Sequence, residues 1–175
     1  MVQIMLNVLL LSPGYPADMP EFTRGLAEAG ARVFGVGDSP VDSLPSMVRH
    51  SMEEYIQVRS LWDDEAVIAS LRDRLRGREL DRIECLWEPG ILLAARLRQV
   101  FGVDGLDVFQ AQRFRDKELM TQALDDAGIR TPRHVAAHTV AEVWDAAGEI
   151  GFPIILKPID GAGSADTYRS HDADV

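Results

Sequence analysis

Val8-Leu9-Leu10-Leu11 is a short unbroken apolar run, and it stops at the turn signal Ser12-Pro13-Gly14. A run of this length bounded by turn residues predicts a buried strand, and it is far shorter than a membrane span. After Pro20 the pattern changes period. Phe22, Gly25, Leu26 and Ala29 fall at i, i+3, i+4 and i+7, which predicts an amphipathic helix opened by Pro20 and closed at Gly30. Arg32-Val33-Phe34-Gly35-Val36 then predicts a second strand, stopped by Gly37-Asp38-Ser39-Pro40. Residues 41 to 60 are ambiguous, with a short helix near Pro45 to His50 and a strand near Tyr55 to Val58 as the best fit.

Val67, Ile68, Leu71 and Leu75 form the next helical stripe, capped by Asp63 or Asp64. Arg72, Arg74, Arg76 and Arg78 gather at its end, where cations suit the helix dipole, and they read as a solvated helix end. Ile83 to Trp87 predicts a strand, and Glu88-Pro89-Gly90 leads into a helix carrying Leu93, Leu97, Val100 and Phe101 that ends at Gly102. Strands alternating with helices of about a dozen residues predict βαβ units and a parallel sheet, an α/β fold. Ligands of such sheets sit beyond the carboxyl ends of the strands. Ser12-Pro13-Gly14-Tyr15 and Trp87-Glu88-Pro89-Gly90 lie at such ends, as binding loops or as plain turns. Gly35-Val36-Gly37 is not G-x-G-x-x-G and carries no dinucleotide assignment.

The texture changes near residue 105, which divides the chain into a domain over 1–105 and a second segment over 106–175. Asp116 to Ala127 predicts a helix with Leu119, Met120, Ala123, Leu124 and Ala127 inward, ended by Gly128. Thr139-Val140-Ala141-Glu142 predicts a capping box opening a helix to about Glu149. Ile154 to Leu156 then predicts a strand that delivers Lys157 with its apolar neighbours packed, and Ser170 or Asp172 is placed to cap a further helix.

Composition sharpens this picture at one point. Eighteen residues are Lys or Arg, and only Lys117 and Lys157 are lysines. An ammonium is a compact point charge suited to single phosphate oxygens, whereas a guanidinium is a planar fork. A chain that uses Arg as its general cation keeps lysine for a task that Arg does less well. The net charge of −10 argues against nucleic acid or an anionic membrane as partner. Cys85, the single cysteine, lies in an apolar strand pattern and reads as a buried structural thiol. His50, His134, His138 and His171 show no metal-ligand spacing. Met1 to Leu11 lacks the basic region and cleavage site of a targeting signal, and one cysteine suits a reducing cytoplasm.

Arg115-Asp116-Lys117 with its helix, Ala127-Gly128-Ile129-Arg130-Thr131-Pro132, Gly151-Phe152-Pro153-Ile154-Ile155-Leu156-Lys157-Pro158 and Asp160-Gly161-Ala162-Gly163-Ser164-Ala165-Asp166-Thr167 follow one another. In order and spacing they resemble the nucleotide-binding entry, lysine strand and glycine-rich loop of the ATP-grasp superfamily, with its carboxylate–amine ligases and biotin-carboxylase-like members. The resemblance implies a Rossmann-like parallel-sheet domain ahead of the ATP-grasp domain, followed by the first, incomplete part of the latter. It implies ATP as ligand, with Lys117 and Lys157 on its phosphates and Lys157 within reach of the adenine. Gly161, Ala162 and Gly163 would offer backbone N–H groups and Ser164 its hydroxyl. It further implies a small carboxylate and an amine as substrates. Its acidic adenine strand and Mg2+ carboxylates would lie beyond Val175, leaving Asp160 and Asp166 as loop residues and this chain alone inactive.

The leading expectation is therefore the N-terminal part of an ATP-dependent ligase that activates a carboxylate as an acyl phosphate. A second reading, of another class, is a non-catalytic nucleotide- or partner-binding α/β module, a truncated paralogue. A third, a flavodoxin-like binding domain, explains residues 1–105 but leaves both lysine motifs to coincidence. An apolar surface on the first domain would support a homodimer.

Overall fold

The structure is a computed structural model that describes residues 5–173. The chain divides into two compact units that meet in sequence at Ala111 and Gln112. In the first, β1 (Asn7–Leu11), β2 (Arg32–Gly37), β3 (Glu54–Gln57) and β4 (Arg82–Glu84) form one sheet in the order β3-β2-β1-β4. Every neighbouring pair is parallel, with Leu9 opposite both Phe34 and Ile83. The connections are α1 (Met19–Glu28), α2 (Ser46–Ser51) and α3 (Asp64–Arg74), and α4 (Ile91–Phe101) follows β4.

Side chains on a strand alternate between faces, and a sheet covered on both sides must be apolar throughout. That is why Val8-Leu9-Leu10-Leu11 is an unbroken run. Leu9 and Leu11 join Phe34, Val36, Val67, Leu71 and Leu97 in the larger core, to which α3 adds Ile68 and α4 adds Leu93 and Ala94. Leu10 and Val33 point the other way and pack with Met19, Leu26 and Met52. Each such side chain contributes roughly 1.5–3 kcal/mol when fully buried.

Several expected details change. α1 turns Met19, Pro20 and Thr23 inward while Phe22 is exposed. Thr23 is tolerated inside because its Oγ1 donates to the Pro13 carbonyl at 2.7 Å and to that of Met19 at 3.0 Å. β4 stops at Glu84, so Cys85 to Trp87 leave the sheet rather than extend it. The arginines at and just beyond the end of α3 are not all a solvated helix end. Arg74 and Arg78 both bind Glu54 of β3, and the Arg78 guanidinium lies 5.1 Å from the Phe34 ring centroid. Gly35 and Gly37 have a packing reason: an added Cβ would meet Met52 Sδ at 2.4 Å and the Tyr55 hydroxyl at 2.6 Å.

The Arg74 guanidinium bonded to Glu54, with Arg78 beside it, holds that carboxyl below the ordinary carboxylate range despite partial burial. A lowered pKa in the folded state means a contribution that is present at neutral pH. It is lost as pH falls past the ordinary carboxylate value of about 4.5 and through the lower folded value. Both arginines are substantially exposed, so the contribution is about 1 kcal/mol. Glu54→Gln should therefore lower stability by about that amount at neutral pH and have little effect near pH 3. Urea unfolding at both pH values checks this, and a pH-independent difference would contradict it.

The second unit contains α6 (Lys117–Asp126), α7 (Val140–Ile150) and an antiparallel pair, β5 (Ile154–Leu156) with β6 (Tyr168–Ser170). The boundary between units falls inside α5 (Val108–Arg115). The expected capping box is present: Thr139 Oγ1 accepts from the Glu142 N–H, and the Glu142 carboxylate accepts from the Thr139 N–H. The expected inward face of α6 is not buried, with Leu119 at 40% and Met120 at 37% exposure. Ile155 and Leu156 on β5 are exposed as well. The apolar stripe is real, but these residues of the unit do not cover it. The expected helix start at Ser170 is also replaced: Ser170 ends β6 opposite Ile154. Asp174 and Val175, the last residues assigned to that helix, lie outside the described residues.

Candidate functional site

The antiparallel pairing of β5 and β6 makes the segment between them a hairpin loop over residues 157–167, and every candidate residue except Lys117 lies on it. Lys157 follows β5 directly and is exposed. Gly163 has φ +62°, a left-handed conformation that costs glycine least. Ser164 and Asp166 adopt φ +61° and +52°, which side-chain-bearing residues reach only at a cost of order 1–3 kcal/mol. The Ala165 N–H donates to the Ala162 carbonyl at 3.2 Å and closes a turn at the tip. Gly161 and Ala162 are half-buried, while residues 163–169 are exposed.

Lys117 reaches this loop from 40 residues away in sequence, because Asp116 sets the start of α6. The Asp116 carboxylate accepts from the N–H groups of Glu118 and Leu119 at 2.8 and 3.0 Å, an N-cap that fixes the first turn. Lys117 then donates its backbone N–H to the Ile159 carbonyl at 3.1 Å. Its ammonium donates to the same carbonyl at 3.2 Å and to that of Gly161 at 2.7 Å. Arg115 donates to the Asp160 carbonyl between them. Three successive loop carbonyls thus accept from two cations that flank the Asp116 N-cap, Arg115 at the end of α5 and Lys117 at the start of α6. Their dipoles satisfy part of each donor set, and both positive charges stay beside the loop.

The structure therefore brings Lys117 together with Gly161, and it puts Lys157 at the near end of the same loop. Sequence reasoning missed Arg115 as a loop contact. The signal was its position two residues before Lys117, inside the motif itself. Among the described residues, no group of three or more His, Cys, Asp or Glu residues could hold a metal ion. Mg2+ thus has no ligand set among the described residues. No helix among the described residues is long and apolar enough to cross a membrane.

Two cavities are formed elsewhere. One of about 220 Å³ in the first unit is lined by Leu11, Trp62, Cys85 and Trp87 among others. One of about 350 Å³ in the second unit is lined by residues that include Asp125, Arg133, His134 and Glu149. Neither includes Lys117, Lys157 or the glycine loop. An open loop at a surface does not enclose volume, so the two observations are compatible.

Comparison with known proteins identifies the fold. The fold is that of the N-terminal portion of ATP-grasp ligases, with a parallel α/β sheet ahead of the lysine motifs. The L-amino acid ligase from Bacillus licheniformis superposes with TM-score 0.78 at 19% identity, over 98% of this chain and 40% of that one. N5-carboxyaminoimidazole synthetase from Staphylococcus aureus, complexed with ADP, gives TM-score 0.74 at 15% identity, over 97% and 43%.

In sequence, the chain is 28% identical over 159 residues to the carbamoyl phosphate synthase large chain of Bifidobacterium adolescentis, covering 86% of this chain and 14% of that protein. It is 30% identical over 112 residues to the L-arginine-specific L-amino acid ligase of Bacillus subtilis, covering 63% and 27%. The chain thus spans well under half the length of these relatives. No protein-family description matches it.

Proposed function

We propose that this chain supplies the N-terminal domain and the phosphate-contacting loop of an ATP-dependent carboxylate–amine ligase working in the cytoplasm. The observation that carries the reading is the convergence of Lys117 and Arg115 on the carbonyls of residues 159–161, with Lys157 exposed at the start of the same hairpin loop. Two lysines in an otherwise Arg-based chain meet at one small-residue loop. The resemblance to proteins solved with ADP supports the same ligand.

In this reading Lys157 and the N–H groups of residues 161–164 face the nucleotide phosphates, with the Ser164 hydroxyl as a further donor. Lys117 holds the base of the loop and adds its charge there. Such groups act by positioning and by neutralising charge, which is most of what phosphoryl transfer requires. A carboxylate oxygen attacks the γ-phosphorus as the bond to the ADP oxygen breaks. An amine then adds to the carbonyl carbon of the acyl phosphate, and phosphate leaves.

Hydroxylamine tests this chemistry, because it captures an acyl phosphate as a stable hydroxamate. A panel of amino acids incubated with the full-length parent ligase, ATP, Mg2+ and hydroxylamine should give ATP-dependent hydroxamate with at least one member. ATP consumption without hydroxamate across the panel, or no reaction at all, would remove the ligase reading.

A further inference from the structure

The sheet of the first unit has a topological switch point. From β1 the chain moves outward to β2 and β3 on one side, then returns to place β4 on the other side of β1. In open α/β sheets the crevice at such a reversal, outside the carboxyl ends of the strands, is where ligands bind. The 220 Å³ cavity lies there. Leu11 is the last residue of β1, Cys85 and Trp87 follow β4, Leu61 and Trp62 precede α3, and Leu93 lies in the first turn of α4.

The walls are apolar and aromatic. The Trp62 and Trp87 rings sit 5.4 Å apart at 59°, and Tyr15 meets Trp87 edge-on at 5.7 Å. Trp62 and Tyr15 nonetheless remain 66% and 60% exposed. The polar groups are committed. Asp64 accepts from Arg96 at 3.0 Å, and the Cys85 thiol donates to the Trp87 carbonyl at 3.2 Å. Burial pushes that thiol up to about 11, so it is a neutral wall and not a nucleophile.

We propose that this cavity binds the side chain of a small molecule, a compact aromatic or branched aliphatic group packed against the paired indoles of Trp62 and Trp87 and over Leu11, Leu61 and Leu93. The volume is below the roughly 300–1,000 Å³ of pockets for drug-sized ligands, so it takes a side chain rather than a whole cofactor. Aromatic faces and leucines reward apolar surface, and they penalise a charged or strongly polar group, which would lose water without gaining partners. The proposal concerns the first unit alone and holds whether or not the glycine loop binds ATP.

Tryptophan fluorescence reads the site directly. The chain has three tryptophans, so Trp144→Phe leaves Trp62 and Trp87 as its only indoles. In that background, with no nucleotide present, L-leucine, L-phenylalanine, L-alanine and L-glutamate serve as probes that differ only in the side chain. L-leucine or L-phenylalanine should give a saturable change at concentrations where L-alanine and L-glutamate give none. Trp62→Ala should weaken that binding about three- to tenfold, and Trp62→Phe should keep most of it. Trp62 is exposed, and a thermal melt confirms that both variants fold. Four outcomes would overturn the proposal: no saturable change with any probe, an equal response to L-glutamate, unchanged affinity in Trp62→Ala, or a signal that follows protein concentration instead of probe and so reports self-association.

Discussion

Lys157→Ala is expected to weaken ATP binding by about ten- to a hundredfold, the effect of losing one charge-assisted contact of roughly 1.5–3 kcal/mol. Lys157 is exposed at the start of the loop, so its removal leaves no cavity and should not alter the fold. Lys157→Arg keeps the charge but replaces a compact ammonium with a wide fork, and it should restore binding only in part. Lys117 differs. Its ammonium already donates to two loop carbonyls, so Lys117→Ala should loosen the loop as well as remove charge. Calorimetric titration of the full-length parent protein with ATP decides the first case. Unchanged affinity in both Lys157 variants would take Lys157 out of the site.

The second large effect concerns stability. Arg98→Met should destabilise the first unit by about 2–3 kcal/mol, because it strips partners from groups shielded from water. Arg98 is 9% exposed on α4. Its guanidinium donates to the Ile83 carbonyl at 2.8 Å, to that of Leu106 at 3.3 Å, and to the Glu84 carboxylate at 3.1 Å. It thus ties α4 to β4 and to the turn after the helix. That turn passes so close that a Cβ at Gly105, which has φ +149°, would lie 2.8 Å from Arg98 Cδ. Methionine matches the apolar stem but satisfies none of the acceptors. Denaturant unfolding measures the loss, and a change below about 1 kcal/mol would show that water or the neighbouring chain replaces those bonds.

Arg98 also shows where the sequence stops being informative. On the helical pattern it falls next to Leu97 as a surface cation, and nothing local marks it as buried. Its role depends on carbonyls contributed by β4 and by Leu106, which only the tertiary fold brings near. Thr23 is the same case in miniature, since its burial rests on the Pro13 carbonyl across a turn. The parallel sheet, by contrast, was legible, because an unbroken apolar run such as Val8 to Leu11 has few other uses in a chain of alternating strands and helices. Local signals read well too. Thr139 caps α7 as expected, Asp63 rather than Asp64 caps α3, and Gly102 ends α4 in the left-handed conformation, while Asp116, read as the first helical residue, is the N-cap of α6.

The second unit was legible in pattern and not in burial. Leu119 and Met120 mark an apolar stripe on α6, but periodicity says which face is apolar and not what covers it. The candidate loop was legible as small residues after a lysine strand. The bonds from Arg115 and Lys117 to the carbonyls of residues 159–161 were not, because acceptors on a backbone leave no trace in the side-chain pattern.

Hydrogen exchange across residues 158–167 of the full-length parent protein, with and without ATP, tests the central claim most directly. Residues 163–167 are exposed and have little apolar bulk, so their amides should exchange fast in the free protein. Phosphate oxygens would give those N–H groups partners, and ATP should slow exchange there more than anywhere in the sheet of the first unit. Slowing confined to the loop and to the first turn of α6 is the result expected. Exchange in the loop that is already slow without ATP, or that is unchanged by saturating ATP, would contradict the account.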